Sequence, residues 1–183
     1  MTREAPYSIV EVSADEAEPL TAHLIALLRD AVASGASLGF WDPLDEALGL
    51  DFWRGVYAAM RAGTLRLLVA RQADVVVGSA QLSLSPKQNA VRRGEVLKVM
   101  THRDARRQGI GEALMREVER LAYDAGRRLL VLDTNTGTDA ERLYRRMGYR
   151  ELGVIPDYTV GPDDAGHAAT FFYKPLETQP DGR

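Results

Sequence analysis

Hydrophobic and polar positions divide the chain into stretches of two different periods. Residues 7–12 (Tyr-Ser-Ile-Val-Glu-Val) alternate and predict a short first strand. Ser13 ahead of Asp15 and Glu16 offers a helix cap with acids in the first turn, and Leu20, Leu24, Leu27, Leu28 and Ala31 follow at helical spacing up to Gly35. A second stripe, Leu48, Phe52, Val56, Ala59 and Met60, predicts a helix over 44–62 with Gly63 as its stop. The apolar runs 64–70 and 75–84 flank Arg71, Gln72, Ala73 and Asp74 and read as a hairpin; a turn region over 83–93 leads to a third neighbouring strand over 95–100.

Helical spacing returns at Ile110, Ala113, Leu114, Val118 and Leu121 and stops at Gly126. The continuous apolar run 129–133 then predicts a strand covered on both faces, and the order strand, helix, strand makes it parallel to 95–100. Thr138 or Asp139 caps a short helix carrying Ala140, Leu143, Tyr144 and Met147, closed by Gly148. The last two strand candidates, 149–155 and 168–174, are joined by a loop rich in Pro, Gly and Asp over 156–166. The pattern is that of an α/β (α+β) mixed sheet of about seven strands, mostly antiparallel with a central parallel pair, flanked by about four helices. Residues 1–6 and the tail from 177 are expected to be loose.

With 183 residues and 45% apolar content the chain can bury one sizeable core, which favours a single domain. A net charge of −3 argues against a broad nucleic-acid footprint, although Arg103, Arg106 and Arg107 gather basic charge suited to a small polyanion. The absence of cysteine removes disulfides, thiol nucleophiles and cysteine zinc sites, and His23, His102 and His167 lack metal-ligand spacing, so no metal is expected. No charged-then-apolar leader opens the sequence and no run approaches ~18 apolar residues, so a cytoplasmic location without a membrane partner is the expectation.

The chemistry centres on residues 94–112, where a strand runs into a glycine-containing turn that opens a helix. In Arg106-Arg107-Gln108-Gly109-Ile110-Gly111 the glycines let backbone N–H groups turn toward a phosphate, and the positive end of the following helix points at the same place. A P-loop would need Gly-Lys-Ser/Thr where Gly111, Glu112 and Ala113 stand, and a dinucleotide fingerprint would need a third glycine at Leu114. What remains, Arg/Gln-x-x-Gly-x-Gly, resembles the pyrophosphate loop of the GNAT superfamily of N-acetyltransferases, which bind acetyl-CoA. Ala140-x-x-Leu143-Tyr144 with Gly148-Tyr149, about 30 residues on, resembles the superfamily's other signature. Gly35–Phe40, Ser79–Leu84, Glu95–Lys98, Leu132–Thr134, His167–Thr170 and Tyr173 with Lys174 look like the tabtoxin-resistance acetyltransferase branch, whose acceptor is a small amino-acid-like toxin.

The resemblance implies a splayed pair of parallel strands, with the Met100 and Thr101 backbone beside the pantetheine arm and Arg106, Arg107, Gln108, Gly109, Ile110, Gly111 and Glu112 around the pyrophosphate. Many members carry an asparagine seven residues before the tyrosine; here Gly137 stands there and Asn135 lies two residues earlier, so Asn135 is the candidate contact. Direct acetyl transfer in a ternary complex needs an amine freed of its proton and a proton for the leaving thiolate. Tyr144 is the expected general acid, with a phenol near ~10 against ~8.5 for a thiol. Asp133, at the mouth of its strand, ranks ahead of Glu95 as the base, because Glu95 lies five residues before Met100, roughly 16 Å at ~3.3 Å per residue. Trp41, Asp42 and Trp53 are candidates for the acceptor pocket. The expected partner is a small-molecule amine, a toxin or antibiotic included. A protein lysine or N-terminal acetyltransferase and a non-catalytic CoA sensor are the alternatives, and a homodimer is left open.

Overall fold

A computed structural model of the chain describes residues 7–176; the expectations for 1–6 and for the tail from 177 lie outside the described residues. The strands are β1 (Ser8–Val12), β2 (Leu65–Gln72), β3 (Val75–Leu84), β4 (Arg93–Thr101), β5 (Leu129–Asn135), β6 (Arg150–Val160) and β7 (Gly166–Pro175). The helices are α1 (Ala14–Ala17), α2 (Thr21–Ala33), α3 (Glu46–Arg61), α4 (Ile110–Asp124) and α5 (Asp139–Arg146). The strands form one sheet in the order β1-β2-β3-β4-β5-β7-β6, antiparallel throughout except for the parallel pair β4 and β5, as the sequence pattern predicts. One face carries α4 and α5 over Leu68, Leu82, Val96, Leu130, Leu132 and Phe172; the other carries α2 and α3 over Leu67, Val69, Val76 and Met100.

Local chemistry sets the element ends. Ser13 and Glu16 form a capping box, Ser13 N–H donating to Glu16 Oε2 at 2.8 Å. The single helix expected up to Gly35 is instead broken: α1 ends at Ala17, Pro19 lies in a 3₁₀ turn, and α2 begins at Thr21. Asp45 caps α3, its Oδ1 accepting from Ala47 N–H at 2.8 Å. The strand expected over 149–155 runs on to Val160, through Pro156. Proline is tolerated there because β6 is the sheet edge and its register slips between Ile155 and Thr159, so no ladder donor is missed.

Two features position the site. Between Leu97 and Met100, β4 holds one residue more than β3 does between Gln81 and Ser79, a bulge in which Lys98 takes φ 50°. The parallel ladder of β4 with β5 ends just before it, at Glu95 opposite Val131, and the strands then part. On the α4 side, Lys174 Nζ donates to the buried Glu119 Oε1 at 2.7 Å and to Met147 O at 2.8 Å, tying β7, α4 and the end of α5 together.

Candidate functional site

At the C-terminal end of β4 the chain makes a short 3₁₀ turn, Arg103–Ala105, that is clamped to α2. The Asp30 carboxylate accepts from Arg103 N–H at 2.9 Å and from its guanidinium. Burial raises the Asp30 pKa, but the Arg103 hydrogen bonds and the charges of His102 and Arg103 outweigh it and leave the carboxyl below its ordinary value. Arg107 (φ 60°) and Gly109 (φ 82°) then turn the backbone left-handed, and Gly109 stands at the N-cap of α4 with no side-chain cap. The N–H groups of Ile110, Gly111 and Glu112 therefore lack intrahelical acceptors and face outward together. Gly78 on β3 lets α4 come this close, since a Cβ there would stand 3.1 Å from Ile110 and 3.2 Å from Leu114.

The side chains around this turn are held apart. Arg106 Nε donates to Thr101 O at 3.2 Å, Gln108 Oε1 accepts from Gln72 at 2.8 Å, and Glu112 accepts from Arg116 at 2.7 Å. The Arg107 guanidinium is exposed and makes no hydrogen bond among the described residues. The turn from Arg106 to Glu112 thus leaves its helix-start amides and the Arg107 side chain open.

Next to the cradle β4 and β5 are parted, leaving a slot between their facing edges. Past Glu95 the facing edges of the two strands carry backbone groups that no ladder pairs. The expectation for Met100 needs correction. Its carbonyl lies 3.0 Å from where a Gly78 Cβ would be, so it points to β3, and its side chain is buried against α2 and α3. Alternation then gives the slot to Thr101 and to Val99, which the sequence reading missed because the bulge that sets the phase has no periodic signature.

Tyr144 on α5 lines the α4 side of this slot. It is 5% exposed, packs 5.8 Å from Tyr149 and 6.1 Å from Phe172, and its hydroxyl makes no hydrogen bond among the described residues. Burial, with the Asp133 charge adding to it, pushes the hydroxyl far above its ordinary pKa, so the value near 10 expected from sequence does not hold. Asp133 feels the opposite balance: burial raises its carboxyl and the positive charge of Lys98 draws it back down. Leu130 and Leu132 face α4, so Val131, Asp133 and Asn135 alternate onto the other face. Glu95 joins them there, opposite Val131. Glu95 and Asp133 are therefore on one face of adjacent strands, their Cα atoms about 8 Å apart from a ~4.8 Å strand spacing and two residues of rise. The long reach that ranked Glu95 second is measured along β4 and does not separate it from Asp133.

Residues 63–151 match the acetyltransferase (GNAT) domain family. The chain has the GNAT fold. An N-acetyltransferase from Staphylococcus aureus Mu50 superposes with TM-score 0.77 at 16% identity, over 93% of this chain and 99% of that one. The Salmonella typhimurium acetyltransferase yncA, solved with its cofactor acetyl-CoA, gives 0.76 at 18% identity over 97% and 98%. A ribosomal-protein-alanine N-acetyltransferase from Brucella melitensis gives 0.75 at 23% identity over 92% and 99%.

Within the GNAT fold, α2 and α3 cover β2 to β4 but leave the same face of β5 and β7 open, and the loop 34–45 reaches across it. Leu38 O accepts from Lys98 Nζ at 2.7 Å at one end, and Trp41 Nε1 donates to Val160 O of β6 at 3.0 Å at the other. Trp41 remains 57% exposed, and Asp42 beside it is exposed, so both are available to a ligand. Trp53 is not. It is fully buried, stacked on Tyr57 at 6.2 Å, because the inward face of α3 runs through Gly49, Trp53, Val56 and Tyr57. A Cβ at Gly49 would stand 3.4 Å from Ile25 of α2, and a glycine contact point carries no hydrophobic signal, so the sequence stripe was phased through Leu48, which is 57% exposed. Phe52 occupies the expected aromatic place instead, edge-on to Phe40 at 5.4 Å and under Lys98. Asn135 is half-buried and its side-chain amide makes no hydrogen bond among the described residues, whereas Gly137 (φ 82°) serves the turn into α5, which Thr138 caps.

Proposed function

We propose that the protein is an acetyl-CoA-dependent N-acetyltransferase whose acceptor is a small-molecule amine. The observation that carries this reading is that the uncapped α4 amides follow directly on the parted end of β4, with Tyr144 on the α4 face of the sheet and Asp133 on the opposite face of β5. The diphosphate would sit on the amides of Ile110, Gly111 and Glu112 with Arg107 beside it, and the pantetheine arm would run along the unladdered edge at Val99 and Thr101, where Arg106 already holds the Thr101 carbonyl. Asp133, its carboxyl raised by burial, takes a proton from the acceptor ammonium, with Glu95 relaying that proton outward through water. The amine nitrogen then bonds to the thioester carbonyl carbon, the C–S bond breaks, the Tyr144 hydroxyl donates to the departing sulfur, and the proton shed by the acylated nitrogen returns to the tyrosinate, leaving an acetamide and free CoA. The desolvation that weakens Tyr144 as an acid also raises the pKa of a thiol in the same slot, so the pair stays matched.

A small acceptor is favoured over a peptide because the loop from Leu38 to Trp41 bridges the open face to β6, where a peptide groove would have to run. The stretches that resemble the tabtoxin-resistance branch fit this, and a toxin or antibiotic would be a suitable amine. The test is thiol release from acetyl-CoA across a panel of small amines and short peptides. Turnover of small amines supports the reading; turnover of peptides alone, or tight acetyl-CoA binding with no turnover, overturns it.

A further inference from the structure

Lys98 takes no part in the transfer chemistry assigned above, yet its surroundings are costly for a lysine. Its Nζ is half-buried, donates to Leu38 O at 2.7 Å and stands 5.8 Å from the Phe52 ring centroid. That leaves two of its three donor hydrogens without a hydrogen-bond acceptor among the described residues. Burial lowers its pKa and the Asp133 carboxylate draws it back up. In the free protein these two charges balance. Once Asp133 has taken a proton from the acceptor, Lys98 is left as an uncompensated cation in a partly desolvated cleft, which is unfavourable unless the acceptor brings an anion.

The strand beside it carries a second observation. Gln81 and Ser79 on β3, 2% and 0% exposed, face the same side of the sheet and pair with Leu97 and Met100, on either side of the bulge that holds Lys98. Gln81 Nε2 and Ser79 Oγ have no hydrogen-bond partner among the described residues. Buried donors without acceptors on β3, opposite the bulge that carries an under-used ammonium, leave hydrogens to give on the side of the cleft away from the Asp133 carboxylate.

We propose that Lys98, backed by Gln81 and Ser79, is the subsite for a carboxylate on the acceptor, so that the cleft selects amines bearing a carboxylate a few atoms from the nitrogen over plain amines. The Lys98–Asp133 pair then presents one positive and one negative group to a zwitterion of opposite pattern. This rests on the acetyltransferase reading for the place of the amine.

The probes are the twenty free amino acids, each paired with its carboxamide, which keeps the amine and removes the anionic charge. Binding to the CoA-loaded full-length protein is followed by calorimetry, and thiol release from acetyl-CoA is followed in parallel, for wild type, Lys98→Met and Lys98→Arg. For the best pair, the carboxylate member is expected to bind and turn over about tenfold or more better than its carboxamide, through KM rather than kcat. Lys98→Met brings that ratio to within about twofold, and Lys98→Arg keeps most of it. A preference that persists in Lys98→Met, equal or better use of carboxamides by wild type, or no binding of any amino acid overturns the proposal. Lys98-dependent binding of amino acids with no thiol release supports the subsite while refuting acetyl transfer.

Discussion

Replacing Tyr144 by Phe separates a chemical role for the hydroxyl from a packing role for the ring. The ring contacts to Tyr149 and Phe172 survive the change, and the hydroxyl has no hydrogen bond among the described residues to lose. Stability should therefore move by less than about 1 kcal/mol, or about 2–4 °C in Tm for a chain of this size. Affinity for acetyl-CoA should change by about fivefold or less, the worth of one neutral hydrogen bond. Turnover is a different matter. If the hydroxyl donates to the leaving sulfur, removing it costs about 10²–10⁴ in kcat, or roughly 3–5 kcal/mol of barrier. The assay is thiol release at saturating acetyl-CoA with the best amine of the panel, read beside thermal unfolding and a titration with CoA. A kcat within about threefold of wild type, with fold and binding intact, would refute the acid role and leave Tyr144 as a packed aromatic. Because burial holds the hydroxyl far above its ordinary pKa, the alkaline limb of the pH profile should not be Tyr144.

Other perturbations test separate parts of the structure. The acid limb of kcat/KM should lie above the ordinary carboxylate range, since burial raises Asp133. Lys98→Met, which removes the charge that favours ionised Asp133, should move that limb further up, and a downward shift would contradict the coupling. Lys174→Met leaves the buried Glu119 without its cation and should cost about 3–5 kcal/mol, whereas Lys174→Met with Glu119→Leu should recover most of it; denaturant melts decide. Asp30→Asn should destabilise by about 1–3 kcal/mol at neutral pH. Because the folded Asp30 pKa is depressed, that difference is present above its unfolded pKa of ~3.9 and disappears as pH falls through the lower folded value, so a difference that persists in strong acid would count against the clamp.

Much of the fold is legible because it is written in periodicity. The alternation of 7–12, the helical spacing from Ile110 and the unbroken run 129–133 each have a single solution, and strand-helix-strand order forces the parallel pair. The glycine turn is legible for the same reason: a left-handed residue before an uncapped helix needs glycine, and Gly109 supplies it. What escaped is whatever depends on phase. Trp53 went inward because Gly49, silent on any hydrophobic scale, is the point where α3 meets α2. Val99 rather than Met100 turns its backbone toward the parted edge because one extra residue in β4 shifts the alternation, and Lys98 entered only as the end of the Glu95–Lys98 stretch because the bulge that holds it has no periodic signature. β6 overran its predicted end since proline forbids a ladder hydrogen bond only where one would otherwise form.

The bulge at Lys98 links these misses into one cause. Its extra residue ends the regular run of β4 two residues beyond the last pair with β5, so the strand bends away and the slot opens. The same insertion shifts the alternation, so that Lys98 and Met100 both lie on the α2 and α3 face while Thr101 keeps its carbonyl within reach of Arg106. A β4 without the extra residue could continue the ladder toward Asn135, would close the passage between cradle and carboxylates, and would turn position 98 to the opposite face. Deleting Val99 should thus abolish acetyl-CoA binding although no side chain of the cradle is touched, while a cradle variant such as Arg107→Ala should weaken binding in proportion to one charge. Retained acetyl-CoA affinity in a folded Val99 deletion would mean that the parting of the strands is set elsewhere, by α4 and α5 pulling on β5 rather than by the extra residue in β4.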